Sequence, residues 1–250
     1  MKTTIGKILG AIYGFGAYLL FLATFLYAIA FVGDFFVPRT VNSGGPDASV
    51  SEALLINAGL LGLFAVQHSL MARPGFKRWL TRVVPKPLER STYVMATNIV
   101  LILLFWQWRP IEGVVWSVES EMAQYVMWGL FGLGWFIVLI STFLISHFDL
   151  FGLKQVVRGL KEESAEAPEF QTPGLYKVVR HPIMLGFLIA FWAIPTMTHG
   201  HLMFAIATTG YILIGIYFEE RDLVDRFGDT YLDYRKTTPA LIPWPKGGTE

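Results

Sequence analysis

Cysteine is absent from this 250-residue chain, and charge is scarce, with only 16% of residues being Asp, Glu, Lys or Arg. Without a thiol there is no disulfide, no thiolate metal site and no cysteine nucleophile. A soluble domain would carry roughly a quarter charged residues. Here hydrophobic residues make up 54% and the mean hydropathy is +0.49, so lipid is the solvent for most of the chain. Net charge is only +1. That balance, with no basic stripe beyond what membrane orientation explains, argues against nucleic acid as a partner.

What the chain has instead is a series of apolar runs, at about 9–32, 53–71, 93–108, 125–146, 183–197 and 202–218. Crossing ~30 Å of hydrocarbon takes ~20 helical residues. The first and fourth runs meet that length comfortably. The last two are short, so they tilt little, sit in thinned lipid, or form a partly re-entrant hairpin. The fold expected is an all-α integral membrane protein with five to six transmembrane helices. The first run is too long for a signal-peptide core and lacks a small-residue cleavage pattern, so it reads as a span.

Orientation follows from where the Lys and Arg residues fall. The connection 72–92 holds six of them, Arg73, Lys77, Arg78, Arg82, Lys86 and Arg90, against Glu89 alone. With alternating spans, eighteen of the twenty basic residues collect on one side, leaving Arg39 and Arg109 on the other. Both termini, and the polar C-terminal region with them, are therefore expected in the cytoplasm, across a bacterial inner membrane.

Two parts are expected along the chain. Residues 1–146 read as a four-helix membrane scaffold, with Gly10, Gly14 and Ala17, and again Gly59 and Gly62, spaced for close helix packing. Residues 147–250 hold nearly all the unusual polar chemistry. The stretch 158–169, with Lys161, Glu162, Glu163 and Glu166, has no apolar face and reads as solvated, without a catalytic part.

The polar turn Thr172-Pro173-Gly174-Leu175-Tyr176, then Arg180-His181-Pro182, opens directly into an apolar run, and the next such run ends on Glu219, Glu220 and Asp222. Ionisable groups near lipid are expensive, so both ends of this hairpin are expected to frame one polar site. Pro182 suits the first turn of a helix, placing Arg180 and His181 beside unpaired N–H groups that attract an anion. Arg180 adds a guanidinium suited to a carboxylate or phosphate. Gly186, a turn further, leaves the helix surface bare for a ligand. The bland alternative is an interfacial Arg180 reaching headgroups and a capping His181.

Three acids at a helix C-terminus oppose the helix dipole, so Glu219, Glu220 and Asp222 require Arg180, Arg221 or a bound cation in compensation. Beyond Phe227 and Gly228, a short helix places Tyr231, Tyr234 and Arg235 on neighbouring positions. The proline-rich tail 239–245 is expected to fold back over the site. Where the fourth run ends, His147 and Asp149 offer an acid–base pair, although a capped helix end explains them equally well. His199 and His201 lie across the membrane with no third ligand adjacent, so no metal is expected. His68, inside a span, is expected to bond a neighbouring helix.

The motif Arg180-His181-Pro182, with Gly186, Glu219-Glu220, Phe227-Gly228, Tyr231, Tyr234 and Arg235, resembles the isoprenylcysteine carboxyl methyltransferase and phospholipid methyltransferase superfamily of membrane enzymes over about residues 172–245. A fuller pattern resembles the bacterial methanethiol S-methyltransferases along essentially the whole chain. Its residues are Ser146-His147-Phe148-Asp149-Leu150-Phe151-Gly152, Thr172-Pro173-Gly174-Leu175-Tyr176, Ala190-Phe191-Trp192 and Pro195-Thr196-Met197-Thr198-His199-Gly200-His201. One departure is Met184, which stands where the broader superfamily has a tyrosine, so no role of that hydroxyl carries over.

The resemblance implies S-adenosylmethionine as methyl donor, methanethiol as acceptor and dimethyl sulfide as product. It implies that Arg180 and the helix terminus at His181 hold the donor's carboxylate and that Glu219 or Glu220 takes its ammonium or ribose hydroxyls. Tyr176, Tyr231 and Tyr234 would pack on the adenine or sulfonium, and Arg235 would support the carboxylate or hold Glu220. Asp149, then His147, then His181 are the bases considered for the thiol. Two other readings stand beside this one. One is methyl transfer to a lipid or prenylated acceptor. The other is a non-enzymatic membrane accessory protein or carrier, since denitrification-associated membrane proteins share part of the pattern.

Overall fold

The computed structural model describes residues 3–161, 163 and 169–243. Its helices are α1 (Thr4–Gly33), α2 (Val50–Ala72), α3 (Pro74–Leu80), α4 (Glu89–Gln107), α5 (Glu121–Ile145), α6 (His147–Leu150), α7 (Leu153–Lys161), α8 (Pro182–Trp192), α9 (His199–Phe227) and α10 (Asp229–Thr237). Two short strands, β1 (Val114–Ser117) and β2 (Thr196–Thr198), pair antiparallel.

Five segments are long and apolar enough to cross a membrane: Thr4–Gly33, Val50–Ala72, Lys86–Gln107, Glu121–Ile145 and His199–Phe227. Apolar side chains on them point outward, among them Leu26 at 65% and Leu55 at 76% exposure, as lipid-facing positions require. The chain is thus an integral membrane protein with five full-length spans. The remaining apolar helix, α8, has 11 residues. At 1.5 Å per residue it reaches about half of a ~30 Å core. It stops at a tight turn at Ala193, where the Ile194 N–H bonds the Trp192 carbonyl at 3.0 Å, and Pro195 is unable to donate to a helix.

The chain forms two compact units that interleave along the sequence: residues 1–113 with 147–166, and residues 114–146 with 167–250. The fourth long helix, grouped with the scaffold by sequence order, therefore packs with the C-terminal region.

In the first unit, α1 packs on α4 and α7 through Gly10, Gly14 and Ala17, all buried. A Cβ at Gly14 would lie 2.4 Å from Val156 Cγ2, so glycine is what admits α7. Asn98 of α4 donates to the Ala17 carbonyl at 3.2 Å. Gly59 and Gly62 of α2 do not share this role, since they face open space. His68 of α2 meets α4 instead, with the Tyr93 hydroxyl 2.8 Å from its Nε2. Asn57, fully buried, donates to the Arg109 carbonyl at 2.7 Å and accepts from the Arg109 N–H at 2.9 Å, satisfying backbone that leaves the end of α4.

In the second unit, α5 and α8 make the closest helix pair. A Cβ at Gly134 would sit 2.6 Å from the Ala190 nitrogen, and one at Gly186 would sit 2.6 Å from the Gly134 oxygen. Small residues let two backbones touch where lipid supplies no hydrophobic drive. The β1–β2 ribbon, with Trp116 opposite Met197 and Ser117 opposite Thr196, joins the start of α5 to the start of α9. Thr198 caps α9 by accepting the His201 N–H at 3.1 Å. The His201 ring is fully buried, and its Nε2 donates to the Phe191 carbonyl at 3.0 Å, which makes it a structural histidine. At the far end of α9, Gly228 takes φ 55°, a left-handed value that turns the chain straight into α10.

Candidate active site

At the end of the second unit away from the ribbon, α5 and α9 finish, α8 begins and α10 follows. Pro182 occupies the first turn of α8, as its missing N–H favours, and His181 is the N-cap residue. The His181 side chain makes no capping bond. It turns to α9, with Nε2 3.2 Å from Glu220 Oε1 and Nδ1 3.4 Å from Glu219 Oε2.

Glu220 is the hub of the cluster. Its carboxylate accepts Arg180 Nε at 2.7 Å and Nη2 at 2.5 Å, and also meets Arg235 Nε at 3.4 Å. The Arg180 side chain is 7% exposed and that of Glu220 11%, so this pair sits out of water. Glu220, one of the acids that oppose the α9 dipole, is therefore compensated by Arg180 and Arg235, with His181 bonded beside it. Arg221 takes no part in that pairing; its guanidinium lies over the Tyr217 ring, 5.9 Å from the centroid.

The structure uses Arg180 differently from the sequence expectation. Its Nη1 donates to the carbonyls of Thr238 and Arg235, while Nε and Nη2 donate to Glu220. The guanidinium thus ties α9 to α10 and the tail. The Arg180 and His181 N–H groups are also consumed within the chain, by the carbonyls of Pro239 at 2.9 Å and Ala240 at 3.0 Å. The tail folds back as far as these residues; Trp244 and Pro245 lie outside the described residues, as do Glu162 and Glu166 of the solvated stretch.

Beside this cluster is a cavity of about 200 Å³ whose lining includes Ile145, Phe170, Tyr176, Arg180, His181, Glu219, Phe227, Tyr231 and Tyr234. Phe170 meets three rings edge-on or tilted: Phe227, Tyr231 and Tyr234, with centroids 5.3, 5.8 and 5.4 Å away. Burial pushes the phenols up: Tyr231 to about 12, with the Glu220 charge adding and Arg180 opposing, and Tyr234 to about 12, again opposed by Arg180. Tyr176 rises further through burial and the neighbouring charge of Glu219. All three remain hydrogen-bond donors at working pH. Tyr234 donates to the Tyr176 carbonyl and Tyr176 to the Ser141 carbonyl of α5 at 3.5 Å. The Tyr231 hydroxyl is buried with no hydrogen-bond partner among the described residues.

The cavity lining thus gathers Tyr176, Arg180, His181, Glu219, Tyr231 and Tyr234, while Glu220 and Arg235 hold it from behind. Gly186 does not join them. The space beside it is filled by Gly134 and Val138 of α5, so its bareness serves helix packing rather than ligand approach. His147 and Asp149 belong to the first unit. The His147 ring is buried, bonded through Nε2 to the Tyr18 hydroxyl at 2.9 Å, and burial depresses its pKa. Sequence reasoning missed Phe170, whose only signal is its place just before the Thr172-Pro173-Gly174 turn. It also missed the carbonyls of Thr238, Pro239 and Ala240, which carry no side-chain signal at all. Among the described residues, no three His, Asp or Glu side chains group as metal ligands would.

The cavity thus joins a half-exposed carboxylate, a buried guanidinium and aromatic walls. The model of the family described as NnrU protein matches residues 55–217. The methanethiol S-methyltransferase of Mycobacterium tuberculosis is 54% identical over 96% of this chain and 98% of its own. Methanethiol S-methyltransferase 1 of Bradyrhizobium diazoefficiens is 53% identical over 96% of this chain and 84% of its own. Nurim of Sus scrofa is more distant, at 31% over 72% of this chain and 76% of its own. No solved structure matches. The chain belongs to the NnrU protein family and to the family of the methanethiol S-methyltransferases.

Proposed function

We propose that this protein transfers the methyl group of S-adenosylmethionine to methanethiol, releasing dimethyl sulfide, on the cytoplasmic side of a bacterial inner membrane. The observation that carries the reading is the cavity of the second unit. There a half-exposed carboxylate, Glu219, a buried guanidinium, Arg180, and an unpartnered phenol, Tyr231, share one aromatic-walled space. The names of relatives that match nearly the whole chain supply the acceptor. The residues present fit the donor, since an orphaned buried hydroxyl and an incompletely paired carboxylate are what an amino-acid group would complete.

S-adenosylmethionine supplies an electrophilic methyl on a sulfonium, open to in-line displacement by a thiolate. Glu219 receives the positive end of the amino-acid group. Arg180 contributes positive potential from inside the wall while its hydrogen bonds hold Glu220 and the tail in place. Phe170, Tyr176 and Tyr234 provide the aromatic surface beside the sulfonium, by cation–π attraction of ~1–2 kcal/mol when desolvated.

The acceptor must lose its proton, since a thiol with a pKa near ~8.5 is mostly protonated at pH 7. Of His181, His147 and Asp149, His181 is the candidate that lines the cavity, and we assign the proton to it. Its Nε2–H is held by Glu220, which leaves Nδ1 to accept, and Glu219 at 3.4 Å carries the proton onward to solvent. Apolar surroundings then favour the step, because thiolate and sulfonium neutralise each other as the methyl moves.

Isothermal titration of the detergent-purified protein with S-adenosylmethionine, with gas chromatography of dimethyl sulfide from methanethiol, tests the proposal. Saturable binding and product formation are expected. Absence of binding would leave a non-enzymatic accessory role, and preferential turnover of phosphatidylethanolamine or a prenylated thiol would replace the acceptor.

A further inference from the structure

One buried polar atom in the cavity wall finds no partner among the described residues. Tyr231 is 1% exposed, and its hydroxyl lacks a partner among the described residues. The two phenols beside it are satisfied, Tyr234 by the Tyr176 carbonyl and Tyr176 by the Ser141 carbonyl. The difference is informative because a buried donor left unmade is costly, and such groups are rare unless something else arrives to meet them. Glu220 is a charged neighbour of Tyr231, yet no hydrogen bond joins them; its Oε1 is taken by Arg180 and His181, and its Oε2 meets Arg235.

The Tyr231 ring is not a stacking platform. Phe170 packs against it at 90° with centroids 5.8 Å apart, and Tyr234 packs against it at 5.9 Å. What remains for a ligand is the hydroxyl, a neutral donor set between the charges of Glu219, Glu220 and Arg180. The cavity holds about 200 Å³. That is below the ~300–1,000 Å³ of pockets that enclose a drug-sized ligand, so it accommodates one end of such a molecule. An α-amino-acid end needs an acceptor for its ammonium and donors for its carboxylate. Glu219 is the acceptor. Arg180 supplies charge, but its Nε hydrogen, both Nη1 hydrogens and one of the two on Nη2 are committed to Glu220 and to the Arg235 and Thr238 carbonyls.

We propose that the Tyr231 hydroxyl donates the direct hydrogen bond to the carboxylate of the methyl donor's amino-acid group, so that this cavity reads that end rather than the nucleoside. This rests on the methyl-transfer reading above. Arg180 then mainly positions Glu220 and the tail, and Tyr231 supplies the contact that no bond within the chain competes for.

The test is Tyr231→Phe in the full chain, with Tyr234→Phe as its contrast. Removing a hydroxyl that makes no bond in the unliganded protein leaves its melting temperature unchanged or slightly raised. Removing the Tyr234 hydroxyl, which holds the Tyr176 carbonyl, lowers it. Affinity of Tyr231→Phe for S-adenosylhomocysteine falls about 10- to 150-fold, the range for one lost hydrogen bond to a charged group. Affinity for 5′-methylthioadenosine, which keeps the nucleoside and lacks the amino acid, stays within about twofold of wild type.

A clear drop in the melting temperature of unliganded Tyr231→Phe would mean that the hydroxyl already has a partner, which overturns the inference whether or not ligand binds. Equal losses for both ligands would place the hydroxyl at the nucleoside and overturn it as well. Wild-type protein that binds neither probe, with unliganded Tyr231→Phe unchanged, removes the methyl-transfer reading and this assignment with it.

Discussion

Replacing Glu220 by Gln tests whether the cluster is held as described. The substitution keeps the size of the side chain but exchanges one carboxylate oxygen for an NH2 group and removes the charge. Arg180, 7% exposed, would then be a buried cation without its counter-ion, and His181 and Arg235 would each face a neutral amide. Breaking a buried pair from one side costs about 3–5 kcal/mol, because the remaining charge is left unpaired. For a chain of this size about 1 kcal/mol corresponds to ~2–4 °C, so the expected fall in melting temperature is roughly 6–20 °C. It should be read by circular dichroism in detergent without ligand.

The same reasoning makes Arg180→Met and Glu220→Gln non-additive. Once the guanidinium is gone, the carboxylate has less to hold, and the double variant should recover ~0.5–3 kcal/mol relative to the sum of the single losses. Arg180→Lys should not rescue, because one ammonium cannot meet Glu220 and the Thr238 and Arg235 carbonyls from the positions a planar guanidinium reaches. A Glu220→Gln protein that melts within about two degrees of wild type would refute the buried-hub account. So would strict additivity with Arg180→Met.

Two further outcomes follow from packing and burial. Gly186→Ala places a methyl 2.6 Å from the Gly134 carbonyl, so α5 and α8 must separate; the cost should be about 1–3 kcal/mol by overpacking, and an unchanged melting temperature would exclude the contact. His147 is buried and its pKa lies below the ordinary ~6.5, so the unfolded chain binds a proton there that the folded chain refuses. Its contribution to stability is present above about pH 6.5 and is lost as pH falls from there through the folded value. Melting curves between about pH 7.5 and 5 should flatten in His147→Gln, and an identical slope in the variant would count against a neutral buried ring.

Membrane class, the number of full spans to within one, and the chemistry of the polar residues were legible because they depend on local properties. A run of apolar residues commits to lipid wherever its neighbours are, and three acids at the end of α9 demand cations whatever supplies them. Gly14 and Gly186 illustrate where that legibility stops. Both read as bare helix surface, but one admits α7 and the other α5, and only the folded chain says which neighbour fills the space. Gly59 and Gly62, with the same spacing, admit nothing.

The functional site divides in the same way. Sequence alone marked Arg180, His181, Glu219 and Glu220 as costly near lipid, since ionic solvation is a property of the group itself. It did not determine who pairs with whom. That Arg180 spends most of its donors on Glu220 and on backbone carbonyls, that the 147–149 segment folds with the first unit, and that Tyr231 alone among three phenols finds no partner among the described residues were decided by the tertiary structure. The reason is that hydrogen bonds are directional and each group has few of them. Which ones remain for a ligand depends on how the helices meet, and no spacing along the chain encodes that.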